Sequence, residues 1–256
     1  MIGPSLIEHP RVAIHACTAA DLAAELAARR EGVDLLLADT PYSERTHKGH
    51  NGLLPDGRKR IRYKHWTPAQ VDAFCDAWLP VTFGWAVSIT DHVLAPVWGA
   101  AMRRHGRYVF DAPPVPMVVT GSRVRLRGDG PSTWTYQVVL SRPTGFDWRT
   151  TRGAYYGPRE RLLMTGGKPL WAMRQVVQDY SRPGDVVCDP VCGSGTSLVG
   201  ALVEGRSALG CDELMVAAGL AEERVAAYLA AGRDELGGPD DDAVEEASRR
   251  RDADGA

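Results

Sequence analysis

Apolar and polar positions fall in blocks along this chain, and the blocks predict helices and short strands that follow one another in turn. Thr18, followed three residues later by Asp21, reads as a capping box, and the Ala- and Leu-rich run behind it reads as a helix to Arg30 that Gly32 ends. Residues 33–38 are a short, nearly continuous apolar run, the pattern of a strand covered on both faces, and they deliver Asp39 at the carboxyl end. Thr67 and Pro68 open a helix to about Trp78, residues 85–89 read as a strand, and residues 91–104 read as a helix. The alternation returns with a helix over 169–180, a strand over 185–189, a helix over 196–204, a strand over 207–211 and a helix over 216–230. Such alternation predicts an α/β fold around a parallel sheet.

Three stretches break the pattern. Residues 43–66 lack periodicity and carry Gly49, Asn51, Gly52, Pro55, Asp56 and Gly57 among many basic residues, so a long mobile basic loop is expected there. Residues 111–165 hold short β-like pieces at 116–120 and 135–140, broken by Pro, Gly and Arg, and read as a small β-rich insertion. Residues 231–256 are acidic and poor in large apolar side chains, which predicts a disordered tail. Between these, residues 1–42, 67–110 and 166–230 read as successive parts of one catalytic-sized domain.

Charge sharpens this division. The net charge of −2 separates into −3 for residues 1–39, +9 for 40–161, −3 for 162–232 and −5 for 233–256. A polyanionic partner would meet the basic middle, although a basic face that is merely solvated has the same composition. No run approaches the roughly 18 uninterrupted apolar residues of a membrane span, and residues 1–11 do not read as a charged leader followed by an apolar segment, so a cytoplasmic protein is expected. The five cysteines are scattered and odd in number, as for reduced, mostly buried thiols; Cys188 and Cys192 lack the spacing of a zinc knuckle.

Two constellations carry candidate chemistry. The first is Asp189-Pro190-Val191-Cys192-Gly193-Ser194-Gly195-Thr196, set between a buried strand and a helix, with Asp212 at the end of the next strand. Gly193 and Gly195 permit a sharp turn and close approach of a ligand, and a carboxylate ending the second strand can accept hydrogen bonds from ribose hydroxyls. A lone Gly-x-Gly is usually only a turn; the flanking strand, helix, Asp189 and Asp212 together point to a nucleotide-like cofactor. Gly166-Gly167-Lys168 is not a phosphate-cradling loop, because Pro169 stands where Ser or Thr is required.

The second constellation is Asp39-Thr40-Pro41-Tyr42. Methylating an amino nitrogen requires its lone pair to be drawn out of conjugation with the ring. A carboxylate and a rigid backbone carbonyl that accept both N–H bonds can do this. Pro41 holds Thr40 extended, and Tyr42 offers a flat face for an extruded base. Taken alone the tetrapeptide reads more readily as a mere strand-to-loop turn. Cytosine C5 chemistry is excluded, since it needs a nucleophilic cysteine, usually after Pro, and no Pro-Cys pair exists. His47 and His50 lack the Cys or carboxylate partners of a metal site, and no metal is expected.

In the order of these segments the chain resembles the β-class DNA amino-methyltransferases, which modify adenine N6 or cytosine N4. Their pattern of Asp-Pro-Pro-Tyr or Ser-Pro-Pro-Tyr, a target-recognition region, Lys-Pro and Asp-Pro-Phe-x-Gly-Ser-Gly-Thr is matched by Asp39–Tyr42, the basic middle, Lys168-Pro169 and the segment 189–196, across residues 10–230 or so. The resemblance implies a Rossmann-like, seven-stranded fold, circularly permuted so that the catalytic strand precedes the cofactor strand, with a basic target-recognition insertion. It implies S-adenosylmethionine as cofactor, S-adenosylhomocysteine as product and base flipping in double-stranded DNA. It assigns catalysis to Asp39, Thr40, Pro41 and Tyr42, and cofactor binding to Cys17, Lys168, Pro169, the segment 189–196, Asp212 and Glu213.

DNA contacts are expected from Arg45, His47, Lys48, Arg58, Lys59, Arg60, Arg62, Lys64, Arg123 and Arg125, with further arginines at 103, 104, 107 and 127. A homodimer and a companion restriction nuclease are compatible with the family. The chain departs from the pattern at Thr40, at Val191 in place of Phe, and at His15-Ala16-Cys17, where Gly-Asp is usual. Asp rather than Ser at position 39 favours adenine N6, with cytosine N4 the alternative and a catalytically silent DNA-binding adaptor of the same fold the second.

Overall fold

The computed structural model describes residues 2–51, 63–110, 113–121, 135–234 and 238–239. Its centre is a nine-stranded sheet. Five strands run parallel in the order β1 (Val12–Ala16), β10 (Ser207–Asp212), β9 (Val186–Asp189), β2 (Val33–Ala38), β3 (Thr82–Thr90). β6 (Thr135–Arg142) then pairs antiparallel with β3, and β5 (Val115–Thr120) antiparallel with β6. β7 (Tyr155–Pro158) closes that edge parallel to β5, while β4 (Tyr108–Val109) pairs with β6. The sheet is thus two strands wider than the seven implied by the resemblance. β2 precedes β9 in the chain by some 150 residues yet lies beside it, with Leu36 opposite Cys188, so Asp39 and Asp189 emerge at the same edge.

Helices cover both faces. α1 (Ala19–Arg29), α3 (Pro68–Trp78) and α4 (Ala95–Arg104) bury one, around Leu22, Leu36, Phe74, Trp78 and Trp98. α5 (Leu170–Tyr180), α6 (Thr196–Val203) and α7 (Met215–Ala231) bury the other, around Ile14, Leu35, Val87, Val176 and Leu198. The apolar run of β2 is continuous from Leu35 to Ala38 because successive side chains feed both cores.

Several boundaries differ from the sequence reading. α1 begins as expected, Thr18 accepting from the Asp21 amide at 3.2 Å, but its cap is Arg30 in the left-handed region at φ 56°. Gly32 is required for another reason: a Cβ there would lie 2.5 Å from the Phe83 ring and 2.6 Å from the Val81 carbonyl. The expected loop at 43–66 contains a helix, α2 (Glu44–Asn51), with a Glu44–Lys48 pair at 2.7 Å one turn apart. Of the stretch 111–165 read as a small β-rich insertion, the described strands β5, β6 and β7 extend the central sheet. In the segment read as a disordered tail, Ala231 completes α7, Gly232 caps it at φ 70°, and β11 (Gly238–Pro239) pairs with β8 (Glu160–Arg161). Arg107, grouped with surface arginines from sequence, is buried, donating to Ser141 Oγ at 3.0 Å and to the Thr82 carbonyl at 3.1 Å; burial lowers its pKa to about 10.

Candidate active site

The Asp39-Thr40-Pro41-Tyr42 tetrapeptide follows β2 and is fastened from two sides. The Trp66 amide donates to the Tyr42 carbonyl at 3.0 Å. Asp91, just past β3, accepts from the Ser43 amide at 3.0 Å and from the Ser43 and Thr46 hydroxyls, both at 2.5 Å. Burial opposes ionisation of Asp91, but these bonds and one from the Leu94 amide outweigh it and hold the carboxyl below its usual range. One carboxylate therefore joins the exit of the tetrapeptide, the start of α2 and the start of α4.

Asp39 itself is engaged at both oxygens. The Tyr42 hydroxyl donates to Oδ1 at 3.0 Å, and the Lys168 ammonium donates to Oδ2 at 2.5 Å and to the Gly166 carbonyl at 2.8 Å. Lys168 keeps 2% of its side-chain surface and Asp39 18%, the latter facing the cavity. Burial raises the Asp39 pKa, and Lys168 and Tyr42 counter only part of that rise. Tyr42 is pushed well above the usual phenol range by burial, and Asp39 adds to it. Lys168 Nζ also lies over two rings, 5.2 Å from the Tyr42 centroid and 4.6 Å from that of Tyr136.

The glycine turn after β9 is built as its residues require. Gly193 and Gly195 take φ of 52° and 77°, and a Cβ at 195 would sit 3.0 Å from Ala221 on α7. Asp212, at the end of β10, accepts from the Gly193 amide at 3.0 Å and the Leu214 amide at 2.9 Å, tying the turn to the next strand. Asp189 accepts from the Val191 amide at 3.1 Å and from the Ser197 hydroxyl. Burial pushes Asp189 up to about 7 against those bonds, with Asp39 and Asp212 acting in the same direction.

Both constellations line one cavity of about 390 Å³. Its wall includes Asp39, Thr40, Pro41 and Tyr42, then Lys168, then Asp189 to Ser194 and Thr196, then Asp212 and Glu213. Cys17, Pro169 and Gly195 are not on that wall. Thr18 lines the cavity where Cys17 was expected, Pro169 caps α5, and Gly195 backs onto Ala221. Sequence reading missed Gln70, Ala73, Phe74, Ala77 and Trp78, one stripe of α3 that covers the cavity. Their helical spacing was visible, but it marks any buried stripe. It also missed Tyr63, Met164 and Ser197, which carried no local signal.

The cavity suits a ligand of S-adenosylmethionine's kind. It lies within the roughly 300–1,000 Å³ range of small-molecule sites. It joins an apolar wall on α3 to a carboxylate at the end of β10 and a glycine turn at a helix start. Among the described residues, no cluster of His, Cys, Asp or Glu could hold a metal ion.

Of the expected DNA contacts, Arg45, Lys48 and Lys64 are exposed, and His47 is partly buried with Nε2 2.8 Å from the Tyr63 carbonyl. Arg45 reaches His92 at 3.2 Å. Arg58, Lys59, Arg60, Arg62, Arg123, Arg125 and Arg127 lie outside the described residues. No helix among the described residues is long and apolar enough to cross a membrane.

Comparison with known proteins gives a consistent picture. A family model of N6/N4 type, described as DNA methylase, matches residues 55–223. Over 82 residues the chain is 37% identical to the Type II methyltransferase M.EcaI of Enterobacter cloacae; that stretch is 31% of this chain and 18% of that protein's length. The structure of the M1.HpyAVI–SAM complex superposes with a TM-score of 0.65 at 16% identity, covering 84% of this chain and 98% of that one. The PvuII DNA methyltransferase, described as cytosine-N4-specific, superposes with a TM-score of 0.59 at 10% identity, covering 87% of this chain and 89% of that one. At those identities the structures speak to the fold.

Proposed function

The chain belongs to the DNA methylase family, and from that membership we propose that it transfers a methyl group from S-adenosylmethionine to the exocyclic N6 of adenine in double-stranded DNA. The observation that carries this reading is the single cavity shared by Asp39–Tyr42 and the glycine turn, which brings an amino-group acceptor beside a nucleotide-binding turn. When bound, S-adenosylmethionine supplies an electrophilic methyl group.

The chain's own residues do the rest. Asp212 and the turn 189–196 hold the cofactor's ribose and methionine ends, while the α3 stripe excludes water. Asp39 and the Thr40 carbonyl accept the two amino N–H bonds of a flipped base, which localises the nitrogen lone pair for attack. Because burial raises its pKa, Asp39 is a better proton acceptor than an exposed carboxylate and can take the proton that the methylated nitrogen sheds. Tyr42 orients Asp39 through its hydroxyl and offers its ring to the base. The exposed Arg45, Lys48 and Lys64 contact DNA phosphates.

The test is to incubate the protein with S-adenosylmethionine and unmodified mixed-sequence duplex DNA, digest to nucleosides and identify products by mass spectrometry. N6-methyldeoxyadenosine is the expected product. N4-methyldeoxycytidine would keep the mechanism and overturn the base; no methylated nucleoside and no cofactor binding would favour the adaptor.

A second expectation follows from Asp189. A cationic ligand favours the ionised carboxylate, so cofactor affinity should fall as the pH is lowered through about 7, and binding near pH 7 should release protons. Calorimetry in two buffers of different ionisation enthalpy measures that release. Asp189→Asn should abolish it, and proton release unchanged in that variant would reassign the titration to another group.

A further inference from the structure

Lys168 is deeply buried, yet no step of the methyl transfer above uses it. A buried lysine is rare without a partner, and this one has a specific set: Asp39 Oδ2 at 2.5 Å, the Gly166 carbonyl at 2.8 Å and the faces of Tyr42 and Tyr136. An N–H donor bonded to Asp39 beside the Tyr42 ring is also what the target base would present. On the reading of the site as an amino-methyltransferase centre, we propose that in the DNA-free protein the Lys168 ammonium occupies the seat of the target's exocyclic amino group. Lys168 is then a positioning residue that base entry must displace.

Three features of the geometry support displacement over a fixed structural pair. Tyr42 and Tyr136 have ring centroids 6.1 Å apart and planes inclined at 51°, so the space between them holds an ammonium and admits no flat base until it opens. The Gly166 carbonyl is a second acceptor already in contact, so the ammonium keeps a partner when Asp39 turns to the base. Gly166, at φ 91°, belongs to the glycine pair before α5, where the backbone is least restricted. A buried ion pair is weak evidence of a stabilising role, because the desolvation of both charges offsets most of their attraction.

The consequence is a competition readable in kinetics. The groups facing Asp39 are Lys168, Tyr42, Tyr63 and Asp189, with Tyr136 beyond the ammonium. Of these Lys168 is the cation, and removing it makes Asp39 easier to protonate. Wild-type methylation of mixed-sequence DNA is measured first. Lys168→Met, which keeps most of the stem, should lower KM for DNA several-fold above pH 8, since nothing then competes for the seat. It should also move the acid limb of kcat/KM, which reports the free enzyme, upward by about one pH unit, and that of kcat by less. Lys168→Arg, a stronger-held cation, should raise KM for DNA with the limb unmoved.

Thermal melting checks that both variants fold, and the arginine variant carries the test if the methionine variant does not. A fall in KM for Lys168→Arg would overturn the proposal. So would a Lys168→Met protein whose KM rises and kcat falls alike at every pH with the limbs in place. Either result leaves the methyltransferase reading intact, whereas no methylated nucleoside from the wild-type protein would end both.

Discussion

Asp39→Ala should lose methyl transfer by roughly 10²–10⁴-fold, the range for removing a positioned acid–base or electrostatic group, and still bind S-adenosylmethionine. The glycine turn proposed to hold the cofactor is built by Asp189, Asp212 and two glycines, none of which depends on Asp39 for a hydrogen bond. The alanine variant also leaves the Lys168 ammonium, 2% exposed, with the Gly166 carbonyl as its hydrogen-bond acceptor beside the Tyr42 and Tyr136 rings. Breaking a buried pair from one side costs about 3–5 kcal/mol, so part of any loss would reflect folding.

Asp39→Asn separates the two effects. Its amide oxygen can still accept from Lys168, so stability should recover while turnover does not, because the amide is a poor acceptor for a shed proton. Product formation by mass spectrometry and urea unfolding of both variants measure the pair. Turnover within threefold of wild type in either one would remove Asp39 from the mechanism.

Arg224→Ala should destabilise the protein by about 3–5 kcal/mol. Arg224 and Asp234 are paired at 2.6 Å with 4% of each side chain exposed, and Arg224 also donates to the Thr196 hydroxyl at 2.5 Å. Removing the arginine takes two donors from a buried carboxylate and frees the first residue of α6, so cofactor affinity should fall along with stability. The double change Arg224→Met, Asp234→Leu should regain most of the lost stability, because replacing both charges by apolar groups avoids their desolvation. Urea unfolding of the single and double variants tests this; a double variant no more stable than Arg224→Ala would show that the pair itself is not the source.

Much of the site was legible because its parts obey local rules. A nearly continuous apolar run leading to Asp39 reads as a two-face strand or a buried helix segment, and six residues are too few for the latter. Gly193 and Gly195 stand where the backbone takes positive φ, and Thr18 and Thr67 open helices that begin where their side chains predict. The order of the segments carried the family, which the match over residues 55–223 bears out.

What stayed illegible depended on partners distant in sequence. α2 has no apolar stripe to announce it; its first turn is held by Asp91, some 45 residues on. Periodicity marked β5 and β6 as strands but said nothing of which edge they join, because pairing is chosen by register with β3. Arg107 looked like its neighbours Arg103 and Arg104 until Thr82 and Ser141 closed around it. The contact between Lys168 and Asp39 spans 129 residues. The chain by itself determined the strand that delivers Asp39 and the glycine turn after β9, since each rests on neighbours within a few residues, and the order of these segments determined the family. Only the tertiary structure decided that the buried Lys168 ammonium sits on the Asp39 carboxylate, because charges are paired by packing across the sheet and not by their spacing along the chain.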